Sequence, residues 1–120
     1  MRMKTLALAF LLSVFGGAWA QAHAFLDHAS PAVGSPVLKA PQTVTLWFTE
    51  QLEPAFSNVQ VLDETGNRVD LGWHADAKDA SIIVAVLKPL SPGLYKVMWK
   101  AVSIDTHVTN GDFTFRVTGA

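Results

Sequence analysis

The side chains most able to do chemistry in this 120-residue sequence are its four histidines. They are His23, His28, His74 and His107. The sequence has no cysteine, which excludes disulfide scaffolds, thiolate zinc sites, iron–sulfur clusters and cysteine nucleophiles. Any metal site must therefore be built from histidine, carboxylate, methionine or backbone groups.

Two of these histidines have a second possible metal ligand close by in the sequence. If processing leaves His23 as the first residue, its α-amine and its imidazole can close a chelate ring on one metal ion. Asp105 and His107 stand at i and i+2, a spacing that points both side chains to the same side of an extended backbone. The alternative is that the D-x-H motif is incidental, because such short motifs are common in loops.

The donor set of His23, Asp105 and His107 would offer nitrogen and oxygen atoms only. Such a set suits Cu(II) in tetragonal geometry and is poor for Cu(I), which prefers sulfur. Zinc can also use histidine and aspartate, but it favours tetrahedral closure and stands below Cu(II) in the affinity order. The sequence thus favours Cu(II) if these residues bind a metal.

The remaining metal-ligand types have simpler interpretations. His28 follows Asp27 on a predicted strand, and we interpret it as a surface histidine, the alternative being an auxiliary metal ligand. His74 lies in the polar stretch 72–76, which we interpret as a surface loop. Met98 is a single thioether that alternates with lysines, so it cannot form a methionine-rich Cu(I) site unaided.

Hydrolytic chemistry is not supported by any grouping of residues. Glu50 and Glu53 bracket the end of a predicted strand, but no nucleophile or pocket accompanies these carboxylates. Ser103, Asp105 and His107 crowd one short segment, which cannot place a nucleophile, a base and an orienting acid in line. We therefore discount hydrolase chemistry.

Residues 1–22 have the pattern of a cleaved secretory signal peptide. Arg2 and Lys4 precede an apolar run over residues 6–15, which is shorter than the roughly 18–20 residues that a transmembrane span requires. We expect one exported domain, residues 23–120, that does not span the membrane after cleavage. Removal of both cations leaves seven Lys and Arg against ten carboxylates, a net charge of −3 that argues against a nucleic-acid partner.

The position of cleavage decides whether a histidine carries the free amine. Two A-x-A patterns overlap in the sequence, and they would leave either Gln21 or His23 as the first residue. We expect cleavage after Ala22, which frees the α-amine of His23.

The exported residues show the two-residue alternation of half-buried antiparallel strands. In residues 43–49, for example, Val44, Leu46 and Phe48 share one face. Further strands are predicted at residues 25–29, 58–63, 81–87, 95–101 and 113–118, and turns rich in Gly or Pro at residues 31–36, 63–67 and 91–93. About seven short strands at this spacing predict an all-β domain, a small Greek-key barrel or sandwich that is immunoglobulin-like in outline.

Four segments occur in an order that is specific to one family. They are residues 23–26 (HAFL), 30–34 (SPAVG), 46–50 (LWFTE) and 93–107 (GLYKVMWKAVSIDTH). Together they resemble the CopC family, the periplasmic copper-binding proteins of bacterial copper-resistance and copper-uptake systems. The resemblance covers essentially the whole exported domain, and it implies a small Greek-key β-barrel located in the periplasm.

The resemblance also implies a metal site and a partner. The Cu(II) ligands would be the amine and imidazole of His23, the carboxylate of Asp105 and the imidazole of His107. Glu50 matches a family glutamate near that site, as a weak axial or outer group, and the implied partner is an inner-membrane copper transporter. The methionine-rich loop of some members is absent, and Val108 replaces a frequent proline, so the chain resembles the members that bind Cu(II) alone.

Three functions remain open on the sequence. The leading one is a periplasmic carrier or buffer of Cu(II) that performs no catalysis. The second is a copper oxygenase of the histidine-brace kind, although the chain is short and Asp105 would fill a position that dioxygen needs. The third is a β-sandwich interaction module in which His23 and His107 bind no metal.

Overall fold

Eight β-strands and one short 3₁₀ helix make up residues 23–119, the part of the chain that this computed structural model describes. The strands are β1 (Leu26–Ser30), β2 (Pro36–Val37), β3 (Thr43–Phe48), β4 (Asn58–Leu62), β5 (Asp70–Ala75), β6 (Ile82–Leu87), β7 (Gly93–Val102) and β8 (Val108–Val117). The 3₁₀ helix Pro54–Phe56 precedes β4. Within these residues no helix has the length and hydropathy to cross a membrane. The predicted signal peptide, residues 1–22, lies outside the described residues.

The strands pair into two four-stranded sheets, in the orders β1-β3-β6-β5 and β2-β8-β7-β4. The short β2 runs parallel to β8, and the other pairings are antiparallel. The long hairpin of β7 and β8 closes with the pair Val102 and Val108. The segment before β1 lies against this end of the hairpin, where the hydroxyl of Thr109 donates a hydrogen bond to the carbonyl of Ala24. The predicted all-β sandwich is confirmed.

The core lies between the two sheets and contains the apolar members of each alternation. Val44, Leu46 and Phe48 face inward from β3 as predicted, with 0%, 0% and 6% of their surface exposed. The inward residues of the hairpin are Tyr95, Val97 and Ala101 on β7 and Phe113, Phe115 and Val117 on β8. Because burying such side chains is the main favourable contribution to folding, these faces hold the two sheets together.

Two segments that the sequence analysis placed in turns or loops are strands. Residues 72–76 were interpreted as a loop, but most of them belong to β5, and this interpretation was wrong. Because β5 is an edge strand paired only with β6, it tolerates polar residues, and Gly72 at φ 123° lies at a register shift that interrupts the alternation. The surface position of His74 is confirmed. Residues 36–37 form β2, and the structure has eight strands where about seven were predicted.

Candidate metal centre

The imidazole rings of His23 and His107 lie side by side on the surface. Their centroids are 4.5 Å apart, and their planes are inclined by 42°. His23 precedes β1 of one sheet and His107 precedes β8 of the other, so the fold joins distant parts of the chain here. Both residues are exposed. The two histidines singled out from the sequence are therefore neighbours in the fold.

The residues that follow His23 hold it at this position. Ala24 is completely buried, and its carbonyl accepts a hydrogen bond from the Thr109 hydroxyl on β8. The backbone N–H of Phe25 donates to the Thr49 hydroxyl at 2.9 Å, and the N–H of Thr49 donates to the Phe25 carbonyl at 2.9 Å. The segment after His23 is thus bonded to both sheets.

Asp105 joins the pair through the turn between β7 and β8. Its Oδ1 lies 3.2 Å from Nδ1 of His107. The backbone of this turn is not extended, because Thr106 has φ 71°, a left-handed conformation that β-branched residues rarely adopt. The two side chains meet because the turn folds back on itself, so the spacing argument from an extended backbone was wrong in its reason.

Ser103 holds this turn together from inside. Only 1% of its surface is exposed, and its hydroxyl donates to Oδ1 of Asp105 while accepting the N–H of His107 at 3.2 Å. The backbone of Ser103 also makes two hydrogen bonds within the turn. Its N–H donates to the His107 carbonyl at 3.0 Å, and its carbonyl accepts the Thr106 N–H at 2.8 Å. Such a network keeps a residue at positive φ in place. One buried side chain therefore bonds the carboxylate of Asp105 and the backbone of His107.

The charge of Asp105 is also set by this turn. The hydrogen bond from Ser103 lowers the pKa of the Asp105 carboxyl, desolvation opposes it in part, and the nearby His107 lowers it further. The pKa of Asp105 therefore lies below that of an ordinary aspartate. At neutral pH this side chain is a carboxylate, which is the form that binds metal ions.

The candidate ligands form two adjacent pairs rather than a closed cluster. Across residues 23–119, no group of three or more His, Asp or Glu side chains is arranged to hold a metal ion. His23, Asp105 and His107 are all exposed, and exposed side chains change rotamer within picoseconds to nanoseconds. Binding one ion would require rotation of these side chains from the positions described here. The expected fourth donor, the α-amine of residue 23, exists only after cleavage.

Glu50 is not part of any such group in the described chain. It is exposed and directly follows Thr49, whose hydroxyl bonds the segment after His23. Glu50 is thus the sequence neighbour of Thr49, and no contact within the described residues defines a role for its side chain.

The other two histidines lie on the first sheet. The ring of His28 stacks on Trp47, with centroids 4.3 Å apart and planes inclined by 9°, and its Nδ1 lies 2.8 Å from Oδ2 of Asp27. His74 is exposed on the edge strand β5. Both are surface histidines, as the sequence predicted.

Three hydroxyl-bearing residues around the site were missed or misjudged from the sequence. Thr49 and Thr109 bond the segment after His23, and no signal separates them from the other threonines that alternate along the strands. Ser103 was weighed only as a nucleophile. The S-x-D-x-H spacing is the one signal that could have indicated its part in the turn, because short hydroxyl side chains often bond nearby backbone groups.

Known proteins are similar to this chain over almost all of the described residues. The family described as "CopC domain" matches residues 26–118. Protein YobA of Escherichia coli (strain K12) is 36% identical over 115 residues, which cover 92% of this chain and 91% of YobA. Copper resistance protein C of Pseudomonas syringae pv. tomato is 32% identical over 115 residues, which cover 90% of each protein.

The similarity extends to a solved structure. The crystal structure of CopC from Methylosinus trichosporium OB3b matches with a TM-score of 0.76 and 33% sequence identity. The match covers 81% of this chain and 95% of that one. The family match over residues 26–118 and the similarity of fold therefore agree.

Proposed function

This chain belongs to the CopC family, and we propose that it is a periplasmic protein that carries or buffers Cu(II) in copper resistance or copper uptake. One Cu(II) is bound by the amine and imidazole of His23, the carboxylate of Asp105 and the imidazole of His107. The observation that carries the proposal is the 4.5 Å separation of the two histidine rings, with Asp105 lying 3.2 Å from the second ring. Glu50 is an axial or outer group of the same site.

The donor chemistry supports Cu(II) rather than Cu(I). Imidazole, amine and carboxylate groups suit Cu(II), whereas Cu(I) prefers thiolate or thioether sulfur. The sequence has no cysteine, and Met98 is the one methionine beyond the predicted signal peptide. Met98 faces away from the core among Lys96 and Lys100, so it does not belong to the paired histidines.

The exposure of the site suits transfer between proteins. His107 and Asp105 expose 48% and 49% of their side-chain surface, so an incoming protein can reach an ion held there. The predicted signal peptide directs the chain out of the cytoplasm. We propose an inner-membrane copper transporter as the partner that exchanges copper with this domain.

A carrier fits the geometry better than an oxygenase. Asp105 stands beside His107 as an ionised carboxylate, and it would occupy a position that dioxygen must take at a catalytic copper. Because redox catalysis needs an open or exchangeable position, this arrangement supports binding without turnover.

The test compares two forms of the exported domain that differ only at the N-terminus. One begins at His23 with a free amine, and the other carries an acetyl group on the nitrogen of His23. Cu(II) titration by calorimetry and electron paramagnetic resonance should show one ion per chain in a tetragonal nitrogen and oxygen site for the first form. The acetylated form should bind at least 10-fold more weakly, because its residue 23 offers an amide nitrogen in place of an amine.

The matched control is His28→Ala in the form that begins at His23. This variant removes an exposed imidazole away from the paired histidines and should bind Cu(II) like the parent. Equal affinities for the free and the acetylated form would exclude chelation through the amine. Absence of Cu(II) binding by the first form would leave the β-sandwich interaction module as the better function.

A further inference from the structure

We infer that Thr49 and Thr109 are positioning residues that hold the N-terminal segment so that His23 binds copper with its α-amine and one imidazole nitrogen. We call this pair the threonine clamp. The inference rests on the proposed function, because it assigns these hydroxyls a part in the copper site. Neither hydroxyl is a ligand in this proposal, since each is engaged with the backbone of the segment that follows the ligand residue.

Thr49 holds Phe25 from the first sheet. Its hydroxyl accepts the N–H of Phe25 at 2.9 Å, and the same hydroxyl is 3.5 Å from the carbonyl oxygen of His23, in position to donate to it. Its backbone N–H donates to the Phe25 carbonyl at 2.9 Å. One residue at the end of β3 therefore bonds successive peptide groups of the segment.

Thr109 holds Ala24 from the second sheet. Its hydroxyl donates to the Ala24 carbonyl, and Ala24 itself has no exposed surface. Thr109 is the second residue of β8, so it lies two residues after His107 on the strand that follows the ligand turn. The threonine clamp therefore connects the segment after His23 to β8, the strand that directly follows His107.

A chain end needs such a clamp because it is tethered on one side only. Terminal residues are poorly ordered unless they are tied down, and ordering them at the moment of binding opposes binding. A segment that is already held leaves less ordering to be done, which raises affinity without any new contact to the ligand. We therefore expect the two hydroxyls to act on copper affinity although neither touches the ion.

The test substitutes each threonine by valine, which keeps the shape and removes the hydroxyl. In the domain that begins at His23, Thr49→Val and Thr109→Val should each weaken Cu(II) binding by about 10-fold, the lower end of the loss typical for groups that orient a metal ligand. Thr49→Ser and Thr109→Ser keep the hydroxyl and should restore the parent affinity. Matched controls are Thr45→Val on β3 and Thr114→Val on β8, which should bind like the parent.

A second measurement needs no copper. The Phe25 N–H should exchange with solvent faster in Thr49→Val than in Thr45→Val, because its acceptor is lost, and the melting temperatures of the two variants should be similar.

The electron paramagnetic resonance spectrum of the copper-loaded variants separates positioning from stability. A role limited to stability would lower the melting temperature and leave the number of nitrogens bound to Cu(II) unchanged in this spectrum. In the clamp variants we expect that spectrum to lose its amine contribution.

The two proposals fail in different ways. If the parent domain does not bind Cu(II), the proposed function is wrong. If the parent binds Cu(II) and both valine variants bind as tightly as their matched controls, the clamp is wrong and the proposed function stands.

Discussion

Trp99 on β7 lies against Gly111 on β8, so closely that a Cβ added to the glycine would stand 2.8 Å from Cζ2 of the indole. The two residues are paired across the hairpin. The indole also meets Phe48 of the opposite sheet edge-on, with ring centroids 5.2 Å apart. This contact links the two sheets through the same hairpin whose turn carries Asp105 and His107.

Gly111→Ala should lower the free energy of unfolding by about 1–3 kcal/mol, because the added methyl group overpacks the space beside Trp99. Trp99→Ala should lower it by about 3 kcal/mol, since a large and partly buried ring is removed. Urea unfolding of both variants and of the double variant measures the coupling. In the Trp99→Ala background, Gly111→Ala should cost little, and strictly additive losses would contradict the contact.

Asp105→Ala and His107→Ala should each weaken Cu(II) binding strongly without unfolding the metal-free domain. Both residues are exposed in a turn, so His107→Ala should change stability by less than about 0.5 kcal/mol. Asp105→Ala also removes the acceptor of the buried Ser103 hydroxyl and should cost about 1 kcal/mol. Calorimetric titration gives the affinity, and thermal melting without copper gives the stability. The comparison is Trp99→Ala: if the two turn variants melt as early as that one, the D-x-H motif is structural.

Ser103→Ala should affect copper binding through Asp105 and His107. The buried hydroxyl that donates to the Asp105 carboxylate is lost, so the pKa of Asp105 should rise toward that of an ordinary aspartate, and Cu(II) affinity should fall by roughly 10-fold. Nuclear magnetic resonance titration of the Asp105 carboxyl and calorimetry measure the two effects. Ser35→Ala removes a hydroxyl from a distant turn and should change neither quantity.

Much of the fold was predictable from the local sequence pattern. In a strand with one buried face, every second residue is apolar, and this alternation is visible in the sequence. The inward side of β3 could be assigned for this reason. The edge strand β5 could not, since an edge needs no continuous apolar face and Gly72 breaks its register. A strand of two residues, such as β2, is too short to show any period.

The site was only partly predictable. Histidine chemistry and the A-x-A pattern pointed to His23 and His107, but their adjacency depends on how two sheets pack, which no local pattern encodes. The turn at Thr106 was taken as extended because its positive φ is set by surrounding hydrogen bonds rather than by its own preference. Thr49 and Thr109 bond the segment after His23 through long-range hydrogen bonds, which leave no local signal in the sequence.

The domain that begins at His23 should retain Cu(II) and release Cu(I). Its one thioether, Met98, is exposed on the outer face of β7, and one thioether alone is a poor Cu(I) site. Competition with a Cu(I)-specific chelator under reducing conditions measures the retention. Met98→Leu should leave Cu(II) affinity unchanged, and tight Cu(I) binding that this substitution abolishes would overturn the assignment of oxidation state.

Acidification from about pH 7 to about pH 5 should weaken Cu(II) binding through the nitrogen ligands and not through Asp105. Amine and imidazole nitrogens must lose their protons to bind a metal, so binding releases protons and the affinity falls as the pH falls. The Asp105 carboxyl, whose pKa is lowered chiefly by the Ser103 hydrogen bond, stays ionised across this range and adds no proton competition.

The same linkage predicts the effect of copper on thermal stability. Only the folded chain gathers residues 23, 105 and 107, so Cu(II) should raise the melting temperature, and this gain should shrink as the pH falls and affinity is lost. Melting curves with and without one equivalent of Cu(II), recorded at several pH values, measure the gain. N-terminal acetylation should reduce it already at pH 7, because the amine ligand is removed. A gain that is independent of pH, or equal for the acetylated and free forms, would mean that copper binds elsewhere on the domain.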